Sequence, residues 1–157
     1  MRFAWLMAVS LTLVMAASGC TSEPSLKEAA AELQKDAQRL EKDDVFKNPL
    51  MKLRILQRPD KDIPCDKDKF KRVLRVTADD ERKTTDVDSH LDQAEGVMAG
   101  TLVHELGYKL EYPFSEGDAE EGRFIHGLKE VGVLVAVYVA PEAPTWRLHA
   151  ETSCLPK

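Results

Sequence analysis

The run Val131–Ala140 (VGVLVAVYVA) constrains the fold more than any other stretch of this chain. It is almost wholly apolar and rich in β-branched side chains, which suit a pleated, packed surface. It reads as the central strand of a sheet, shielded on both faces. Three further strands surround it in sequence. Tyr108–Phe114 is stopped by an acidic turn over 115–122, and Arg123–Leu128 follows that turn. After Pro141 and Pro144, Thr145–Thr152 sets Trp146, Leu148 and Ala150 against Arg147, His149 and Glu151. Such alternation predicts an edge strand with one dry and one wet face.

The first half of the chain supplies helices and shorter strands. Ser25 and Glu28 have the spacing of a capping box. Leu26, Ala30, Leu33, Ala37 and Leu40 then recur at helical intervals, predicting an amphipathic helix over 26–45 that lies on the domain or stands off from it. Asn48-Pro49 ends it, because the residue before proline is pushed out of helical geometry. Met51–Leu56 reads as a strand, with a short helix as its rival. Residues 58–69 read as a loop carrying Cys65, and Phe70–Val76 as a second strand. The clearest helix is 87–106. Asp86 or Asp88 can cap it, Leu91, Ala94, Met98 and Leu102 form its stripe, and Gly107 sits where a left-handed cap falls. Gly96 and Gly100 predict a small ledge for close packing on a sheet. The order of elements implies an α+β fold, a mostly antiparallel sheet of five to six strands packed on one main helix (87–106), with the helix 26–45 in addition.

The N-terminus sets the expected compartment. Arg2 precedes the apolar run Ala4–Ala16, which has signal-peptide length and is too short to span a bilayer comfortably. Ala17-Ser18-Gly19-Cys20 follows and resembles a bacterial lipobox, where cleavage precedes a diacylated cysteine. The alternatives are an ordinary secretory cleavage after Ala16, Ala17 or Gly19, and an uncleaved anchor. The lipobox reading divides the chain into a signal peptide (1–19), a tether (20–24) and one α+β domain (25–157). With Cys20 acylated, Cys65 and Cys154 remain, in a compartment where disulfides persist. A Cys65–Cys154 bridge is therefore expected, with two buried thiols as the alternative. The chain carries a formal charge of −5, and losing Arg2 makes the mature form more acidic. Phosphate-backbone binding needs clustered Lys and Arg, so no nucleic-acid partner is expected.

Motifs for chemistry are not found. His104-Glu105 opens like a zinc-protease helix, but the second histidine falls on Tyr108. His90 lies almost four helical turns from His104, too far to share a metal. Asp86 and Asp88 begin like a calcium loop, yet the glycine and closing glutamate positions are Leu91 and Val97. The turn 115–121 is acidic and reads as solvated. Ser89, Ser115 and Ser153 show no sign of activation, and no pair of carboxylates is singled out. His126 and His149 likewise stand in no recognised motif. No catalytic set, metal site or cofactor is expected.

Taken together, the Ala17–Cys20 box, lone Cys65 before a strand, a helix ending Leu106-Gly107-Tyr108 and the ending Thr152-Ser153-Cys154-Leu155-Pro156 resemble the layout of small actinobacterial lipoproteins. That group often has Gly-Trp where this chain has Gly107-Tyr108, and Thr-Pro before the last cysteine where this chain has Thr152-Ser153. The resemblance implies a tethered extracytoplasmic domain without an assigned activity, and it supplies no site residues. The expected function is a binding or interaction module held to the bilayer by acylated Cys20, with an envelope or secreted protein as partner. A cell-wall or peptide hydrolase and an immunity or inhibitor protein are the alternatives.

Overall fold

In the computed structural model, which describes residues 24–83, 86–111 and 122–157, the first helix, α1 (Leu26–Lys42), starts at Ser25. The Ser25 hydroxyl accepts from the Glu28 N–H, and the Glu28 carboxylate accepts from the Ser25 N–H. The capping box is thus formed in both directions. The buried face comprises Leu26, Ala29, Leu33, Asp36, Ala37 and Leu40. Ala29 replaces the expected Ala30, and an aspartate lies in the middle of the stripe. The helix ends earlier than expected, because Asp43 both closes α1 and caps a short second helix, α2 (Asp44–Lys47). Phe46 of α2 is buried, its ring edge-on to Trp146 at 5.7 Å.

Among the described residues, nine strands follow or interleave with the helices. β1 (Arg54–Gln57), β2 (Ile63–Asp66), β3 (Lys69–Lys71) and β4 (Val73–Ala78) precede the helix α3 (Val87–Gly100). β5 (Lys109–Glu111), β6 (Arg123–Lys129), β7 (Val133–Val139), β8 (Trp146–Thr152) and β9 (Leu155–Pro156) come after it. The main sheet has the order β1-β4-β8-β7-β6-β5, with every neighbouring pair antiparallel. A smaller sheet, β2-β3-β9, contains part of the expected loop 58–69. The expected strand Phe70–Val76 is therefore two strands, separated at Arg72 and belonging to different sheets. Met51–Leu56 resolves in favour of a strand, displaced to 54–57. The expected signal peptide (1–19), most of the expected tether (20–24), the end of the expected strand 108–114 and the turn 115–121 lie outside the described residues.

Two expectations about the sheet are corrected. β8 is not an edge; it pairs with β4 on one side and β7 on the other. Its alternation reports which face is wet, not where the strand lies, since an antiparallel sheet covered on one face alternates throughout. β7 lies inside the sheet but is shielded on one face only. Val133, Val135, Val137 and Val139 are buried, whereas Leu134 on the other face is 48% exposed. The cause is that α1 and α3 share one core with the inward side chains of β4, β6, β7 and β8. The sheet thus carries two helices on the same face instead of one main helix.

α3 does not run unchanged to residue 106. Its continuation, Thr101–Glu105, is wound as a π-helix, with the Leu106 N–H donating to the Thr101 carbonyl at 3.0 Å. Gly107 then takes φ +77°, the left-handed geometry expected of it. The ledge of Gly96 and Gly100 is not a packing surface: a Cβ at either position would meet open space. Cys65 and Cys154 are disulfide-bonded, with Cα atoms 6.0 Å apart. The bridge ties β2 to the turn between β8 and β9.

One-sided burial makes a paired prediction. Val135→Ala is expected to cost about 1–3 kcal/mol by removing core methyl groups. Leu134→Ala, one residue away on the outer face, is expected to stay within about 0.5 kcal/mol. Urea unfolding of the two variants checks this, and similar losses would mean that both faces are packed.

Candidate functional site

The uncovered face of the main sheet is assembled by strand register, since directly paired residues point to the same side. One row crosses five strands: Arg54, Thr77, Arg147, Tyr138 and Phe124 are successive partners. The next row runs Gln57, Arg75, His149, Ala136, His126 and Glu111. A third brings Leu134 beside Glu151 and Leu128. The face therefore passes from basic on β1, β4 and β8 to aromatic on β7 and β6.

The aromatic half is held in place by its own contacts. The Phe124 ring lies 4.8 Å from the Tyr138 ring and stacks at 6.3 Å on His126. The Arg147 guanidinium sits 5.6 Å from the Tyr138 ring centroid, on the opposite side of the row from Phe124. Gly122, at φ +79°, passes under Tyr138, where any Cβ would collide with the ring and with the Val139 carbonyl. Phe124 nevertheless remains 45% exposed. Among the described residues no helix packs on this face.

A shallow depression of about 290 Å³ on this face is lined by Glu111, His126, Leu134, Ala136, His149 and Glu151 among others. Glu151 accepts from the Lys71 ammonium at 2.8 Å and faces the His149 Nε2 at 3.1 Å. Partial burial pushes its carboxyl up, but Lys71 and His149 outweigh this and hold it below its ordinary range. Glu111 and Glu151, the two acids of the depression, stand on β5 and β8, three strand spacings or about 14 Å of backbone apart, and Glu151 is already paired with Lys71. Among the described residues no serine or cysteine hydrogen-bonds to a histidine.

A second cluster lies beneath the sheet and has no counterpart in the sequence reading. Asp36 of α1 accepts from the Lys129 ammonium at 2.6 Å and from the Tyr108 hydroxyl at 2.8 Å. Lys129 also reaches Glu32 at 3.3 Å and lies 4.6 Å from the Tyr108 ring centroid. The Lys129 and Asp36 side chains are 6% and 2% exposed. Burial pushes the Asp36 carboxyl above its ordinary range despite Lys129, and burial next to Asp36 pushes the Tyr108 hydroxyl up as well. Every buried polar side-chain atom among the described residues has a partner. The cluster is therefore a fully paired clamp between α1, β6 and the segment after α3.

The remaining residues singled out by sequence are accounted for locally. Asp86 caps α3, its carboxylate accepting from the Ser89 N–H at 2.8 Å. His90 lies on α3 and His104 on the π-wound turn, both apart from the open face. His126 and His149 share one row of that face with Ala136 between them. Among the described residues no group of three His, Cys, Asp or Glu is placed to hold a metal ion, and no helix is long and apolar enough to cross a membrane. Cys20 lies outside the described residues. No family model, no curated protein and no solved structure matches this chain.

Proposed function

We propose that the protein is an extracytoplasmic lipoprotein, anchored in the bilayer by acylated Cys20, whose open sheet face binds an envelope or secreted protein. The observation that carries the binding part is the one-sided sheet. Its open face presents Phe124 and Tyr138 beside arginines, residue types enriched at the centres of protein interfaces, with Leu134 exposed on the same face. The anchoring part rests on the lipobox-like Ala17–Cys20. Five residues from Cys20 to Ser25 reach at most about 17 Å, so α1 would begin close to the membrane surface. The layout shared with small actinobacterial lipoproteins agrees with this arrangement.

Cys20→Ala is the test of the anchor. The variant is expected to lose palmitate labelling and to move from the membrane fraction to the soluble one. Retained label, or unchanged membrane recovery after an alkaline wash, would defeat the lipoprotein reading.

A further inference from the structure

We propose that the basic half of the open face, formed by Arg54, Arg75 and Arg147, receives an acidic segment of a protein partner. This rests on the reading of that face as an interaction surface and adds the partner's chemistry. The three arginines come from different strands and surround Thr77: Arg54 and Arg147 are its partners on either side, and Arg75 is two residues away on β4. All three are exposed. Strand spacing puts Arg54 and Arg147 about 10 Å apart, with Arg75 about 7 Å along the strand from Thr77.

What sets these three apart is the absence of compensation. Arg58 pairs with Glu41, Arg72 with Asp62, Arg82 with Asp80, and Arg123 with Asp88 and Asp92. Arg39 donates to the Glu105 carbonyl. Arg54, Arg75 and Arg147 have no carboxylate partner among the described residues. Among the described residues, Glu151 on the same face is already held by Lys71. In a chain with 27 acidic residues and a net charge of −5, three neighbouring guanidinium groups on one sheet face thus meet no carboxylate among the described residues, Arg147 resting instead near the Tyr138 ring. Guanidinium forks pair with carboxylates in two-point geometry. The adjoining Phe124 and Leu134, 45% and 48% exposed, offer an apolar contact as well. A protein segment supplies both, whereas an anionic glycan or a lipid headgroup supplies only the charge.

The test uses the full-length protein in detergent micelles and a fluorescein-labelled peptide, Glu-Glu-Phe-Glu-Glu, with Gln-Gln-Phe-Gln-Gln as its uncharged counterpart. The acidic peptide is expected to bind at least about tenfold more tightly at low salt, with the advantage shrinking severalfold at about 0.3 M salt. Arg54→Gln, Arg75→Gln and Arg147→Gln together are expected to erase that advantage without moving the melting temperature. Equal binding of both peptides, or an advantage that survives the triple variant, overturns the proposal. So does tighter arginine-dependent binding to phosphatidylglycerol vesicles or to polygalacturonate, or an arginine-dependent dimer of this chain.

A photo-crosslinker at position 134, in intact membranes, separates the two levels of the argument. An adduct that disappears in the triple variant supports the acidic partner. An adduct that persists in it overturns the charge proposal and leaves the interaction surface standing. No adduct, together with no acid preference, overturns both.

Discussion

Asp36→Ala is expected to lower the stability of the protein by about 3–5 kcal/mol, the usual cost of breaking a buried ion pair from one side. The substitution leaves the Lys129 ammonium under α1 with only Glu32 for a partner, and Glu32 is the more exposed of the two acids. It also strips the Tyr108 hydroxyl of its acceptor. Removing both charges is a different experiment. Asp36→Leu with Lys129→Met is expected to recover most of the loss, because well-packed apolar groups replace buried ion pairs at little cost. Urea midpoints of the single and double variants make the comparison. A loss below about 1 kcal/mol for Asp36→Ala would mean that water reaches the clamp. The pH dependence has a definite sign. Burial raises the native Asp36 carboxyl above its ordinary value, so the native state keeps a proton that the unfolded chain has released. The contribution of this group therefore declines as pH rises above about 4.

Cys154→Ser is expected to cost roughly 4–5 kcal/mol, the chain-entropy value for opening a loop of 89 residues. The loss should appear first in the small sheet. β9 spans two residues and pairs only with β3, so its place depends on the bond beside it. Cys65 is exposed and Cys154 partly so, which lets a reductant reach the bridge in the folded protein. Dithiothreitol should therefore lower the melting temperature of the native chain and leave that of Cys154→Ser unchanged. A shift in the variant equal to that in the native chain would show that the reductant acts elsewhere.

Local signals in the sequence were the informative ones. The Ser25–Glu28 box, the Gly107 cap and the inward–outward alternation of Trp146–Thr152 each depend on neighbours within a turn or two, and each is present in the fold. The Cys65–Cys154 pairing expected from the cysteine count is present in the fold. What stayed hidden depends on distant partners. Ile63–Asp66 contains Pro64 and reads as a loop, but an outer strand of a small sheet tolerates proline. Asp36 interrupts an apolar stripe, and its role becomes visible only when Lys129 arrives from β6. The open face is hidden for the same reason. Arg54, Arg75 and Arg147 are scattered along the chain and become neighbours only through the register of β1, β4 and β8. The long apolar run on β7 suggested cover on both faces, yet hydrophobicity alone does not say whether a second layer exists.

The strand order also fixes a sequence of assembly. β1 and β4 can pair with one another, and so can β5, β6 and β7, but the two groups meet only through β8. β8 is made after all the strands it joins. Until it leaves the ribosome, the main sheet exists at most as two unlinked pieces, neither with its full core. Long-range closure of this kind is slow, and the inward faces of both pieces stay without their full core until Trp146–Thr152 arrives. A polypeptide interrupted ahead of Trp146 would lose the seam that unites the sheet and not merely a border strand.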